Sequence, residues 1–162
     1  VSSKAKRTNM LFAMDKGIEG IKRSMNEVCY NTLVAVITRL DELSPVGDVR
    51  LWKRPKNHPP GYRGGQFRGN WQLGVGSVPV GWLPGKIDPA GVSTVANNIA
   101  AIPLQASRYR FYLVNNVPYA LAIEQGWSKQ APKPILFQVK REFNGIVRKV
   151  AQEIVDSGRR VR

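Results

Sequence analysis

The sequence predicts an α+β domain: a small, mostly antiparallel sheet flanked by a long N-terminal helix and a C-terminal helix, with a long basic loop after the first helix. Three observations carry this expectation. Apolar residues recur at three- and four-residue steps from Asp15 to Leu43 and again from about Pro134 to Asp156, the mark of amphipathic helices. Two short stretches between them alternate from residue to residue, the period of a half-buried strand. The chain has 162 residues, 43% of them hydrophobic, which suits one domain with a sizeable core. Residues 15–156 are read as that domain, residues 1–14 as a basic arm and residues 157–162 as a basic tail.

In the first helix, Ile18, Ile21, Met25, Val28, Leu33, Val36, Ile37 and Leu40 form the apolar face, and Lys22, Arg23, Glu27, Arg39 and Asp41 fill much of the other. "LSPVGD" ends it, because Pro45 disfavours helical geometry at Ser44 and Gly47 permits a turn. Residues 49–70 form a basic loop with Arg50, Lys53, Arg54, Lys56, Arg63 and Arg68, three prolines, four glycines and no acid; a short strand is expected at its start. A strand then sets Trp71, Leu73 and Val75 against Asn70, Gln72 and Gly74, its glycine implying a bulge or a close neighbour. "VSTVANNIAAI" reads as a short helix. "SRYRFYLVN", Ser107 to Asn115, is the clearest strand, with Tyr109, Phe111 and Leu113 on one face and Arg110, Tyr112 and Val114 on the other. The last helix carries Leu136, Val139, Phe143, Ile146, Val147, Val150 and Ile154, starts near Pro134 and stops at Ser157 and Gly158.

Lys and Arg number 25 against 11 Asp and Glu, a formal charge of +14. Such a surplus fits a polyanionic partner, a solubility surplus, or charge neutralised by acidic neighbours in an assembly. Cys29 is the single cysteine, which excludes an intramolecular disulfide or a cysteine-based zinc site. There is no run of about eighteen apolar residues and no signal-peptide core, so no membrane association and a cytoplasmic site of synthesis are expected. His58 is the one histidine and lies far along the chain from Cys29. The acids are scattered, and "GVGSVPVG" lacks the lysine and serine of a phosphate loop. No cofactor, no metal and no enzymatic activity are expected. The cations of the basic loop, interleaved with Trp52, Tyr62 and Phe67, suit phosphate contact and base stacking, or a clamp on a neighbouring subunit; any DNA contact would be sequence-independent and salt-sensitive.

The segment "NNVPYALAIEQGWSKQAP", Asn115 to Pro132, joins the second strand to the last helix. Asn115 and Asn116 suit a strand end and turn. Tyr119, Ala120, Ala122 and Ile123 suit one short helical turn that Gly126 ends. Glu124 is the one acid between Asp88 and Glu142, and an ion pair with Lys129, Arg108 or Arg110, or a subunit contact, is its expected role. Tyr119 and Trp127 suit interface anchors or core packing. The expected interface set is Trp71, Asn116, Tyr119, Glu124, Trp127, Ser128, Lys129 and Gln130.

Two blocks carry a resemblance. "NNVPYA" followed by "IEQGWSKQAP" and a helix with Val139, Phe143 and Val147, together with "SPVGD" at Ser44 to Asp48 and "FRGNW" at Phe67 to Trp71, resembles the tail-completion or head-tail joining (neck) proteins of tailed bacteriophages. The blocks and their helices span most of Asp15 to Asp156 in that family's order. Two departures stand out: the basic insertion Val49 to Gln66 splits the upstream block, and "APKPIL", Ala131 to Leu136, replaces the family's A-P-x-G-M. The resemblance implies a non-enzymatic virion component, assembled in the host cytoplasm, that forms a ring of its own copies, usually hexameric, at the top of the tail. Its partners would be head connector or stopper proteins and tail-tube or tail-terminator proteins, with genomic DNA passing through the channel. The rival expectation is a basic module that binds nucleic acid without regard to sequence.

Overall fold

A computed structural model describes residues 3–51, 54, 56 and 63–160, with side chains for residues 14–51, 54, 56 and 63–158. Lys53, Trp52, His58 and Tyr62 lie outside the described residues. The fold is α+β: a two-stranded antiparallel sheet with a long N-terminal and a C-terminal helix that pack against each other.

Helix α1 runs Ser3–Leu43, so it starts within the expected basic arm rather than at Asp15. Residues 3–16 hold no proline or glycine and are rich in Ala, Leu, Met, Lys and Arg, residues whose helix propensity outweighs the loss of amphipathic spacing there. At its end, Ser44 N–H donates to Asp41 C=O at 3.0 Å, the Ser44 hydroxyl donates to Leu40 C=O at 2.6 Å, and Gly47 takes a positive φ of 85°, a conformation glycine adopts without Cβ strain. A 3-10 turn, Val49–Leu51, stands where a strand was expected. Asp48 favours it: its carboxylate accepts the Arg50 N–H at 2.9 Å, a local bond that competes with extended pairing.

Helix α2 is the short turn Gln66–Gly69. Strand β1, Trp71–Val75, pairs antiparallel with β2, Phe111–Asn115, with Leu73 opposite Leu113. The glycine of β1 marks a close neighbour: a Cβ on Gly74 would lie 2.1 Å from Ser77 O. Helix α3, Val92–Ala100, covers the outer edge of β1. There Asn98 Oδ1 accepts the Leu73 N–H and Asn98 Nδ2 donates to Trp71 C=O, both at 2.9 Å, so one side-chain amide stands in for a third strand. The expected strand start at Ser107 is corrected to Phe111. Ala106–Arg108 forms a 3-10 turn, because Ser107 N–H and Oγ both donate to Asn26 Oδ1 on α1 and draw the chain off the sheet line.

Helix α4, Ala120–Glu124, fills the joint. Helix α5, Ile135–Arg160, runs past the stop expected at Ser157 and Gly158; the Ser157 hydroxyl bonds back to Ile154 C=O at 2.8 Å and so sits within the helix it was expected to end. The core has two centres. Val36 and Leu40 of α1, Phe67, Trp71, Ile123, Ile135 and Val139 form one. Ile37, Ile102 and Ala106 form the other, backed by Cys29, Leu33, Phe111 and Leu113. Arg39 spans α1 and α5 with Nε and Nη2 on the two oxygens of Glu142, at 2.7 and 3.0 Å; this pairing raises the arginine's pKa and holds the Glu142 carboxyl below its ordinary range.

Candidate functional site

The two sequence blocks, separated along the chain, meet in one hydrogen-bonded unit. Trp71 Nε1–H donates to Ser44 Oγ at 2.7 Å, and Arg68 Nη2 and Nη1 donate to Ser44 C=O and Pro89 C=O, each at 2.9 Å. The amide of Gln130 grips the "SPVGD" turn from the other side: its Oε1 accepts Gly47 N–H at 3.1 Å and its Nε2 donates to Asp48 C=O at 3.2 Å. Asn115 Nδ2 donates to Phe67 C=O at 2.8 Å while its Oδ1 accepts Val117 N–H, the side-chain turn that asparagine favours. Asn116 Nδ2 donates to Pro79 and Gly81 C=O at 3.0 and 2.9 Å. Phe67 stands edge-on to Trp71 with centroids 5.8 Å apart, and the Tyr119 hydroxyl donates to Gln66 Oε1 at 3.1 Å.

Glu124 has a role its sequence neighbours did not reveal. Its two carboxylate oxygens accept the N–H groups of Ile135, Leu136 and Phe137 at 2.9 to 3.3 Å. These are the first N–H groups of α5, which have no partner within the helix and sit at its positive end. The expected ion pair with Lys129, Arg108 or Arg110 is therefore corrected to a helix cap. Gly126 allows it: at φ 79° it turns the chain, and a Cβ there would lie 2.9 Å from Pro132 O. Ser128 bridges Ala131 across the tight return, with Ser128 Oγ accepting the Gln130 N–H.

The expected interface residues therefore divide. Trp71 is 6% exposed, a core side chain and not a surface contact, and Asn116, Glu124 and Gln130 are engaged with their own chain. Trp127 is 77% exposed, and Tyr119 and Lys129 also reach solvent. Of the expected DNA-facing cations, Arg68 points inward, with Nε 3.5 Å from Asp41 Oδ1. Arg50 is exposed but pairs with Asp48, whose carboxyl it draws down to about 2. Arg54, Lys56 and Arg63 are exposed.

Between the turn and the joint lies an open groove of about 580 Å³, lined by Val46 and Leu51, by Phe67, and by Tyr119, Ile123 and Trp127, with Arg54 and Lys129 among its polar lining. Of the described residues that line it, none is acidic. The arrangement suits holding an apolar side chain flanked by negative charge.

Two buried polar groups were missed from sequence. Asp88 accepts Ser93 Oγ, Thr94 N–H and Thr94 Oγ1 at 2.7 to 2.9 Å; burial pushes its carboxyl up, but these bonds outweigh burial and hold it below its ordinary value. Asn70 is fully buried, accepting Leu83 N–H and donating to Gln66 and Leu83 C=O. Asp88 lies ahead of the N-cap Gly91 and reaches into the first turn of α3 from outside it, so neither it nor Asn70 stands at a position that a capping signal marks. Comparison with protein-family models, with curated proteins and with solved structures finds no match to this chain.

Proposed function

We propose that this chain is a structural neck or tail-completion protein of a tailed phage, assembling as a ring of its own copies and joining the tail to the head connector, with DNA passing through the channel. The observation that supports this most is that the two blocks carrying the resemblance converge. Ser44, Arg68, Trp71, Asn115 and Gln130 fasten them together, and they frame a groove beside which Trp127 stays exposed. Exposed aromatics beside a preformed apolar groove are what a protein–protein contact uses as anchors. On this reading the groove receives a head-connector or tail protein, and the surplus of +14 is multiplied around a polyanion by the copy number of the ring.

The charge also favours the rival reading, a module whose primary role is to bind nucleic acid. Negative-stain imaging of the purified chain and a salt titration with duplex DNA separate the two. Rings, with DNA affinity weak at moderate salt, are expected. A monomer that binds duplex tightly, with affinity falling steeply as salt rises, would replace the neck reading with the rival. Turnover of any substrate abolished by Glu124→Gln would overturn both.

A further inference from the structure

Helix α1 changes character along its length. From Cys29 to Leu40 its apolar face is broad: Cys29, Leu33, Val36, Ile37 and Leu40 all enter the two core centres. Between Met14 and Met25 the large apolar residues are Met14, Ile18, Ile21 and Met25 alone, at steps of four, three and four. A face that covers a globular core is wider than this, whereas two helices that wind around each other need only such a narrow seam. The two parts meet where Asn26 ties α1 to the turn at Ser107. On the far side of that tie the four seam residues are 46 to 63% exposed.

The residues that flank the seam say what covers it. One flank carries Asp15 and Lys22, seven positions apart and of opposite charge; the other carries the small residues Gly17 and Ser24. In a pair of helices the flanking positions of one meet those of the other and set partner choice and orientation. Lys22 also lines, with Arg23 and Arg108, a pocket of about 400 Å³ beside Met25 in which Glu19 is the one acid among the described lining residues, so this corner of the seam is poised for a further carboxylate. Gly17 weakens a helix interior, and nothing in the single chain asks for it: a Cβ there would meet no atom within 4 Å. Beside a second helix it lets the two backbones approach closely.

We propose that the N-terminal half of α1 pairs with the same segment of a second copy, antiparallel, about a two-fold axis between Ile18 and Ile21. Ile18 then packs against Ile21 of the partner subunit, and Met14 against Met25 of the partner subunit. A second copy is the occupant because the charges are complementary in this arrangement. Asp15 meets Lys22 of the partner subunit, beside the partner subunit's Arg108, and the two-fold axis makes the same contact again in reverse, as an isologous contact requires. A parallel pair would set the Lys22 flank against the Gly17 flank and bring no opposite charges together. Four half-exposed side chains from each copy make a contact at the small end of the range, below about 1,200 Å², so the pairing is weak and depends on concentration. It does not depend on the neck reading.

The test is sedimentation velocity of the full chain across a dilution series at about 150 mM salt, where repulsion between the two net charges is screened beyond about 8 Å. Association with a dissociation constant on the order of 10–100 μM is expected. Ile21→Glu should weaken it by at least about tenfold and leave the circular dichroism of the dilute chain unchanged, because Ile21 is exposed in the single copy. Asp15→Lys and Lys22→Asp should each weaken it by about fivefold or more, and the chain carrying both should return to within about twofold of the parent. That rescue is specific to the antiparallel register and serves even where Ile21→Glu fails to fold. A chain that stays monomeric up to about 500 μM overturns the pairing and leaves the seam to a different protein. Singly charge-reversed chains that associate as the parent does, or a double variant no better than the single ones, overturn it as well. So does a ring that Ile21→Glu leaves intact, an outcome that leaves the neck reading standing.

Discussion

At the joint, Asn115, Asn116, Glu124 and Gln130 each bind backbone of their own chain. On the N-terminal half of α1, Met14, Ile18, Ile21 and Met25 are spaced for burial yet stay about half exposed or more. The joint has the composition of a reactive site and is a set of internal fasteners; the α1 stripe has the composition of ordinary core and is open surface. The difference teaches that side-chain polarity alone does not locate a contact surface. A short joint with little apolar area has to hold its shape through hydrogen bonds, because each buried backbone group needs a partner. A helix longer than the body it packs against exposes the end of its apolar stripe.

The largest expected effect comes from breaking a fastener with no exposed side. Asn70→Ala leaves Leu83 N–H and the Gln66 and Leu83 carbonyls without their amide partner, a loss of about 3 kcal/mol by urea denaturation; a loss below about 1 kcal/mol would remove Asn70 from the set. Glu124→Ala uncaps α5 and should lower stability by about 1–2 kcal/mol, with Glu124→Gln retaining part of the cap.

Two inward-facing aspartates, the part-buried Asp41 and the buried Asp88, sharpen the comparison through pH. Burial raises the carboxyl pKa of Asp41, and the nearby Asp88 and Glu42 add to that, outweighing the pull of Arg68. The native state therefore binds a proton at Asp41 more readily than the unfolded chain does, so stability from this group rises as pH falls through its raised value. Asp88 is held low, and its contribution is present above the ordinary aspartate value of about 3.9 and is lost as pH falls through the lowered one. Thermal melts should show Asp41→Asn losing the first trend and Asp88→Asn the second. The smallest effect is expected on the open stripe: Ile18→Ala and Ile21→Ala should each change monomer stability by no more than about 0.5 kcal/mol, and a loss of 2 kcal/mol or more would mean that the stripe is covered within the monomer.

Much of this fold was legible because period carries it. Helices α1, α3 and α5 and the Trp71 strand follow from spacing, and Gly126 marks the end of the joint's short helix, whereas α2 lies inside what reads as the basic loop. The boundaries were not. Ser107 reads as strand until Asn26, eighty-one positions away, takes both of its donors, and the start of α1 reads as a basic arm because charge masks helix propensity there. At the site, the importance of "NNVPYALAIEQGWSKQAP" was visible, but the partner of each polar side chain was not. Glu124 finds its partners in backbone N–H groups that every residue but proline carries, so no sequence pairing marked them.

Urea denaturation of Glu124→Ala beside Trp127→Ala tests most directly the claim that the joint's acid fastens the fold while its exposed tryptophan faces a partner. Glu124→Ala is expected to lose about 1–2 kcal/mol and Trp127→Ala no more than about 0.5 kcal/mol. Equal stabilities for the Glu124 variant and the parent, or a loss of 2 kcal/mol or more at Trp127, would contradict it.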